Sequence, residues 1–213
     1  MALIDASRLG EMFEEIARAI DADKDRLCEL DGFIGDADHG IAMALGFNAA
    51  RDALAALDLS AVDPTIVLNT AAKSFLNAVG ASSGPLYATA FMRGAAAIKG
   101  KTVLNDADTV AMFQAMAKGI QDRGKAEIGE KTMVDAWLPA AEAAGAVHAS
   151  GGSLAECLTA AAVAARGGAE ATRDMMAGKG RAARLGERSV GHIDPGAASA
   201  VIVVEAIGRS LGR

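Results

Sequence analysis

The chain has 213 residues and a formal net charge of -6, with a pI near 5.1. This length can enclose one sizeable core, so we expect a single domain over residues 1–213. An acidic chain lacks the basic footprint of a nucleic-acid-binding protein, and nucleic acid is excluded as an expected partner. Hydrophobic residues make up 52% and aromatic residues 4%, which predicts a helical core of Ala, Leu, Val, Ile and Met.

The cysteines and the N-terminal sequence indicate the cellular compartment in which we expect the protein. Cys28 and Cys157 stand singly in apolar, helix-like contexts, which favours a reducing compartment over a disulfide framework. The N-terminus shows no basic-then-apolar leader, and no apolar run reaches membrane length. We therefore expect a cytoplasmic protein with no membrane partner.

Apolar residues recur at helical spacing along the chain, without an alternating strand pattern. The first stripe predicts a helix from about Ser7 to Ala22, after which the chain runs on to a loop at Asp31. Capping signals mark later helix starts at Asp63-Pro64, at Asp106 or Asp108, at Ser153-Leu-Ala-Glu156 and at Asp194-Pro195. Eight helices result.

An acidic stretch comes just before the second helix. Asp36 and Asp38 flank one small residue, so their side chains can point the same way, and glycines beside Asp31 would let the chain bend back to them. Clustered carboxylates repel one another unless a cation offsets the repulsion. Mg2+ takes oxygen ligands and leaves positions for phosphate, and a helix opening at Gly40 would favour an anion there. The alternative is an ordinary Asp- and Gly-rich capping loop.

Three further stretches carry possible ligand groups. Ser82 and Ser83 precede Gly-Pro, and a helix cap alone or a cap with a ligand contact fits equally. The stretch 123–133 resembles a G-x4-G-K-[ST] loop, but an extra Glu130 and the lack of a preceding strand break the motif. Its basic residues and Met133 could line a nucleotide pocket, or the stretch could be a solvated loop. The basic stretch 179–192 is a solvated loop unless an anion site lies beside it.

The order of the helices predicts that these stretches lie close together. If the eight helices alternate in direction, the loops before the second, fourth, sixth and eighth helices lie at one end. Those loops carry every stretch singled out above. We therefore expect an all-α, eight-helix antiparallel barrel or bundle with a nucleotide site at one rim.

The chain resembles the DAK2, or L-subunit, family of dihydroxyacetone kinases over nearly its full length. The residues that carry the resemblance are Gly35-Asp-Ala-Asp-His-Gly40, Ala81-Ser-Ser-Gly-Pro-Leu86, Gly129-Glu-Lys-Thr-Met133 and Gly186-Glu-Arg-Ser-Val-Gly-His-Ile-Asp-Pro-Gly-Ala197. The resemblance implies an eight-helix barrel capped by a nucleotide. It implies that the catalytic groups Asp31, Asp36 and Asp38 hold two Mg2+ ions on the phosphates of ADP or ATP. The nucleotide contacts it implies are His39, Gly40, Ile41, Ala42, Ser82, Ser83, Gly84, Gly124, Met133, Arg181, Asp194, Pro195 and Gly196.

Two residues depart from the family pattern, the second Ser of the Ser82-Ser83 pair and Glu130 in place of Asp. Because the chain ends at its eighth helix, it resembles the phosphotransferase-system type of free-standing L subunit. That type implies a phosphohistidine M subunit as donor and a K subunit that carries dihydroxyacetone. The alternatives are an ATP-exchanging kinase subunit for another short ketose or tetrose, and a nucleotide-loaded regulatory module without turnover. A homodimer is left open.

Overall fold

The computed structural model describes residues 3–213, and these form eight α-helices. The helices are α1 (Ala6–Ile34), α2 (His39–Ala55), α3 (Pro64–Ala78), α4 (Ser83–Ala97), α5 (Asp106–Gly124), α6 (Val134–Ala149), α7 (Leu154–Ala171) and α8 (Pro195–Leu211). Two 3-10 segments, Thr172–Asp174 and Ala182–Ser189, lie between α7 and α8. Within residues 3–213 the extended pairing is limited to one bridge, between Ile4 and Leu104. The predicted all-α class is confirmed.

The helices form a closed ring. Each packs against its neighbour in sequence, and α1 packs against α8. Connected helices that pack side by side run in opposite directions, so the ring is an antiparallel barrel, as expected. None of the helices in residues 3–213 has the length and apolar content that a membrane crossing requires.

The connections gather in two rims. The even rim consists of the loops before α2, α4, α6 and α8. The odd rim consists of the segment before α1 and the loops before α3, α5 and α7. At the odd rim, Ile4 pairs with Leu104, and the Leu154 N–H donates to the Asp106 carboxylate at 3.2 Å. These contacts close the odd rim, while the candidate residues lie at the even rim.

The buried core consists mostly of Ala, Leu, Val, Ile and Met, as expected from composition, and aromatic side chains form a cluster within it. Rings on neighbouring helices meet edge-on or tilted, with centroids 5.0 Å apart for Phe47 and Phe75 and 5.4 Å apart for Phe113 and Trp137. The buried aromatic residues are Phe13, Phe47, Phe75, Tyr87, Phe91, Phe113 and Trp137. A small number of aromatic residues is enough because each buries a large area and nearly all of them lie inside.

The first helix is much longer than predicted. It continues past Ala22 to Ile34, because Leu27 and Ile34 extend its buried stripe. The predicted loop at Asp31 is therefore wrong, since this residue lies in the last turn of α1. The starts predicted at Pro64, Leu154 and Pro195 are confirmed. The fifth helix starts at Asp106, and Asp108 completes a capping box with Asn105.

Candidate functional site

Three carboxylates converge at the even rim. Asp31, Asp36 and Asp38 each offer an oxygen, and these oxygens all lie within 4.8 Å of one another. Asp31 is 8% exposed in the last turn of α1, whereas the other two are exposed on the connection to α2. Ala37 between them has a φ of 62°, a left-handed conformation that is uncommon outside glycine. The turn thus holds two acidic side chains beside a third that the helix fixes.

Asp31 connects α1 to the start of α2. Its Oδ2 accepts the N–H groups of Asp38 at 3.0 Å and His39 at 3.2 Å. The second helix starts at His39, one residue before the predicted Gly40. A Cβ on Gly40 would lie 2.0 Å from the Lys24 carbonyl oxygen, so glycine is needed here for α2 to pack against α1. Gly40 therefore has a packing role.

The cluster has the electrostatics of a cation site. Burial raises the pKa of Asp38, repulsion from Asp36 and Asp31 raises it further, and Arg181 opposes the shift. A raised carboxyl pKa means that the local environment disfavours the charged form, which a bound cation would reverse. Oxygen-only donors suit a hard ion such as Mg2+. The residues present therefore fit a divalent metal.

The basic loop before α8 reaches this cluster. The Arg181 Nη1 donates to Asp36 Oδ2, although the two residues are 145 positions apart in the chain. The His192 ring of the same loop stacks on Phe33 at the end of α1, with centroids 4.8 Å apart and planes 13° apart. The alternative of a freely solvated loop is wrong for these residues.

His39 couples α2 to the first turn of α8. Its Nε2 lies 2.9 Å from Ser199 Oγ, and this hydroxyl also lies 2.9 Å from the Gly196 carbonyl oxygen. Because a carbonyl only accepts, the serine donates to Gly196 and His39 Nε2 carries the hydrogen. Burial lowers the pKa of His39 although Asp31 opposes the shift, which favours the neutral ring, with Nδ1 as an acceptor.

The turn before α8 is also tightly held. Asp194 caps α8 by accepting the Ala197 N–H at 2.8 Å, and its own N–H donates to Thr172 Oγ1 at 2.9 Å. Burial raises the pKa of Asp194 to about 7, against the opposing effects of the Ala197 N–H and Lys131. Pro195 and Gly196 are buried, and Gly196 lies beside Met133 at the start of α6.

The serines before α4 do not behave as a plain cap. The helix begins at Ser83, and within the described chain the Ser82 side chain accepts no N–H from the first turn. The prediction of a cap, alone or combined with a ligand contact, is therefore wrong for the cap. The Ser83 hydroxyl is buried and has no partner in residues 3–213. A Cβ on Gly84 would lie 2.2 Å from the Val79 carbonyl oxygen, so glycine is required there.

The stretch before α6 differs from both readings of the sequence. Gly124 is the last residue of α5, not part of a loop. Lys131 is 1% exposed, and its Nζ donates to the carbonyls of Thr172, at 2.5 Å, and His192. Burial lowers the pKa of Lys131, against the opposing effects of Asp194 and Asp174. This lysine is neither solvated nor on the surface of a pocket.

Sequence reasoning missed three residues that organise the rim. Besides Lys131, these are Ser199 and Asp135, whose carboxylate accepts the N–H groups of Gly129 at 2.6 Å and Thr132 at 2.7 Å. The Thr132-Met-Val-Asp135 spacing matches a capping signal and could have identified Asp135. In the sequence, Lys131 belonged only to an incomplete match to the G-x4-G-K-[ST] motif, and no local pattern pointed to Ser199.

Not every predicted site residue joins the cluster. His39, Arg181 and the Asp194–Gly196 turn are connected to it by the contacts above. Within the described residues, Ser82 and Ser83 form no hydrogen bond with it, and Gly124 lies against Leu86. Ile41 is exposed and Ala42 partly buried in the first turn of α2.

Comparisons with known proteins identify the family. A family model described as the DAK2 domain matches residues 33–209. The chain is 37% identical over 205 residues to "PEP-dependent dihydroxyacetone kinase 2, ADP-binding subunit DhaL" of Listeria innocua, across 96% of this chain and 94% of that protein. It is also 37% identical over 210 residues to the L-erythrulose 1-kinase of Mycolicibacterium smegmatis, across 95% of this chain but 35% of that protein.

A solved structure shows the same fold. The crystal structure of the dihydroxyacetone kinase from C. freundii in complex with AMP-PNP and Mg2+ aligns with a TM-score of 0.72 and 24% identity. The alignment covers 94% of this chain and 33% of that one. The match over residues 33–209 and the identity to a subunit of similar length show that this chain belongs to the DAK2 domain family.

Proposed function

We propose that this chain is the nucleotide-bearing phosphoryl-transfer subunit of a dihydroxyacetone kinase. Its bound Mg-ADP would take a phosphoryl group from a phosphohistidine on an M subunit and, as ATP, pass it to dihydroxyacetone on a K subunit. The observation that carries the proposal is the cluster of Asp31, Asp36 and Asp38, contacted by Arg181 at the even rim. The similarity over nearly the whole length of an ADP-binding subunit supports it.

In this proposal the three aspartates hold two Mg2+ ions. Bound magnesium would supply neutralisation of the phosphate charge, which is the main requirement of phosphoryl transfer. The protein contributes a fixed geometry, since the N–H groups of Asp38 and His39 orient the Asp31 carboxylate. Cations on the cluster would also free Arg181 from Asp36, so that its guanidinium can donate to phosphoryl oxygens.

The nucleotide would lie across the starts of α2, α4, α6 and α8. A helix start favours an anion through its N–H groups and its dipole, so the Ser82–Gly84 turn and the His39–Ala42 turn suit phosphate oxygens. The buried, unpartnered Ser83 hydroxyl in the described chain supports a ligand contact there. Gly124, Met133 and the Asp194–Gly196 turn are proposed to border the rest of the nucleotide.

The proposed partners would dock on the even rim. Five exposed apolar side chains lie on its loops and the adjoining helix ends and would be available to a docked partner. These are Phe33, Ile41, Ile128, Met176 and Val190, between 41% and 57% exposed. Docking there would bring the acceptor and the donor to the phosphates, and both partners would place the reaction in the cytoplasm. The comparisons give no support for a homodimer, and we do not propose one.

Reconstitution tests the proposal. The purified chain should retain ADP through gel filtration and should form dihydroxyacetone phosphate only with K and M subunits and a phosphoryl donor for M. The Asp38→Asn variant should lose the ADP while keeping its helical circular dichroism spectrum. Full ADP content in that variant would contradict the metal assignment.

An ATP-exchanging kinase subunit is the second candidate, favoured by the similarity to a longer erythrulose kinase. Rapid exchange of bound ADP with labelled ATP, and turnover without M, would favour this candidate. A chain that binds ADP but transfers no phosphoryl group to any K-like partner would instead be a regulatory module.

A further inference from the structure

Lys131 lies in the stretch that resembles a phosphate-binding loop, but its ammonium faces the protein interior. The residue is 1% exposed, and its backbone adopts a left-handed conformation with φ 58°. Both observed acceptors are backbone carbonyls, those of Thr172 and His192. Hydrogen bonds from a charged donor are stronger than neutral ones, and a buried ammonium requires them.

The two carbonyls lie at opposite ends of one long loop. Thr172 directly follows α7, and His192 comes just before α8. Further bonds hold these ends together, from the Gly191 N–H to the Arg173 carbonyl at 2.7 Å and from the Asp194 N–H to Thr172 Oγ1 at 2.9 Å. The two ends of this loop are therefore bonded close together, and the residues between them form one compact loop.

This loop carries Arg181, the residue that reaches the acidic cluster. The tip contacts the cluster through one exposed side chain, so the position of the guanidinium depends on how the rest of the loop is held. Residues 130 and 131 both hold it, since the Gly178 N–H, three residues before Arg181, donates to the Glu130 carbonyl at 3.0 Å. The base of the loop consists of its two ends, at Thr172 and His192. Lys131, just before α6, bonds to both ends, and His192 also stacks on Phe33 of α1. The lysine thus connects the segment before α6 to the loop before α8.

We propose that Lys131 is a positioning residue for phosphoryl transfer, which joins both ends of the Arg181 loop and does not touch the nucleotide. The inference rests on the function proposed above, because it assigns Arg181 to the transferred phosphoryl group. A displacement of about 1 Å in such a group can slow a reaction about 100-fold. The phosphates of ADP are proposed to be bound by the acidic cluster and by the starts of α2 and α4, which Lys131 does not contact, so ADP affinity should change much less than the transfer rate.

Three variants test this role. Lys131→Met keeps the length of the side chain but removes the ammonium, and Lys131→Arg keeps the charge and the donors. Lys125→Met is the matched control, because Lys125 lies in the same connection with a φ of 49° but is exposed. For each variant we would measure amide hydrogen exchange over residues 175–191 without nucleotide, ADP affinity, and transfer rate at saturating ADP.

For Lys131→Met we expect exchange in the loop to accelerate at least about tenfold, since local opening becomes easier. ADP affinity should stay within about threefold of the wild type, while transfer should slow about 100-fold. Lys131→Arg should recover at least about tenfold of the lost rate, and Lys125→Met should match the wild type in all three measurements.

Parallel loss of ADP affinity and transfer would show that Lys131 supports nucleotide binding itself and would overturn the proposal. Unchanged exchange in the loop would overturn it equally. If Lys131→Met does not fold, the 15N signal of the buried ammonium in the wild type replaces it. Addition of Mg-ADP should leave that signal in place, and a large shift would contradict the inference. A wild type that binds no ADP would refute the proposed function, while the exchange experiment would still test the seating of the loop.

Discussion

The two rims of the barrel differ in how the free N–H groups at the helix starts are bonded. At the odd rim every helix has an N-cap side chain that accepts an N–H from its own first turn, supplied by Asp5, Asp63, Asn105 and Ser153. At the even rim, within residues 3–213, this holds only for α8 and Asp194. The odd rim is therefore stabilised locally, and its chemistry is complete without a ligand.

The even rim is instead held by contacts between distant parts of the chain. His39 bonds to Ser199 160 residues away, and Lys131 to His192 61 residues away. The described residues other than glycine that have a positive φ also lie there, namely Ala37, Lys125 and Lys131. Such conformations cost about 1 kcal/mol or more each. At Lys125 the left-handed conformation ends α5 as a C-cap, whereas Ala37 and Lys131 lie in the connections that carry the candidate site. One rim thus stabilises the barrel locally, and the other carries the candidate site.

Loss of a carboxylate should separate the two rims most clearly. Asp38→Ala should weaken ADP binding in magnesium at least about 100-fold, because a metal ligand is lost. The stability of the metal-free protein should stay equal or rise, because repulsion within the cluster falls. The matched variant Asp63→Ala removes a working N-cap of the odd rim, so it should cost about 1 kcal/mol and leave ADP affinity unchanged. Calorimetric titration and urea unfolding check both, and weakened ADP binding in Asp63→Ala would contradict the comparison.

A close helix contact near the even rim should give the largest loss of stability. A Cβ on Gly168 would lie 1.8 Å from the Asp135 carbonyl oxygen, whereas a Cβ on Gly167 meets nothing within 4 Å. Gly168→Ala should therefore destabilise by about 2 kcal/mol or more, because α7 must move away from α6. The neighbouring Gly167→Ala should stabilise by about 0.5 kcal/mol through helix propensity. Urea unfolding measures both, and equal effects would show that the contact is not tight.

Asp194 should make the even rim sensitive to pH. Its pKa is raised to about 7, so the folded state binds a proton that the unfolded state releases near the ordinary aspartate pKa. This contribution to stability is complete below the unfolded pKa and is lost as pH rises toward and through 7. The metal-free wild type should therefore lose stability between pH 5 and 8 more steeply than Asp194→Asn, which can still cap α8. Asp38 contributes in the same direction, and His39, whose pKa is lowered, contributes in the opposite direction. Both remain in the variant, so the difference between the two slopes reports Asp194.

The control for this pH dependence comes from the odd rim. Ser153→Ala should be less stable than the wild type yet show the same slope from pH 5 to 8, because the lowered pKa of its partner Glu156 lies below that range. Stability measured by urea unfolding at several pH values decides the matter. Identical slopes for Asp194→Asn and the wild type would refute the assignment.

A pair of serine variants should show the smallest effects. Ser82→Ala should change stability by less than about 0.5 kcal/mol, because this side chain caps nothing in the described chain. It should weaken ADP binding about tenfold if the hydroxyl meets a phosphate. Ser153→Ala should cost about 1 kcal/mol and leave ADP binding unchanged. Thermal unfolding and ADP titration of both proteins test this opposition.

The sequence predicted the odd rim better than the even rim for a physical reason. Caps such as Asp63 and Ser153 act within three residues, so their signals are written locally. Helix parity then sufficed to gather the loops at one end. The burial of Lys131, the bond from His39 to Ser199 and the contact of Arg181 with Asp36 depend on contacts across 41 to 160 residues, which no local pattern encodes.

Two errors show how local signals mislead. Asp31 follows a plausible helix end, yet the buried stripe through Leu27 and Ile34 carries α1 past it. Serine is a common N-cap residue, yet the backbone of Ser82 is helical and its side chain accepts no N–H in the described part of α4. Both residues lie at the rim proposed to bind the nucleotide, where local rules are expected to fail.

A crystal structure of the protein grown with Mg2+ and ADP tests the central claim most directly. The account predicts cation density among the carboxylates of Asp31, Asp36 and Asp38, with the diphosphate bridged to it and Arg181 released from Asp36. Cation and diphosphate located elsewhere, with the three carboxylates turned to solvent, would contradict it.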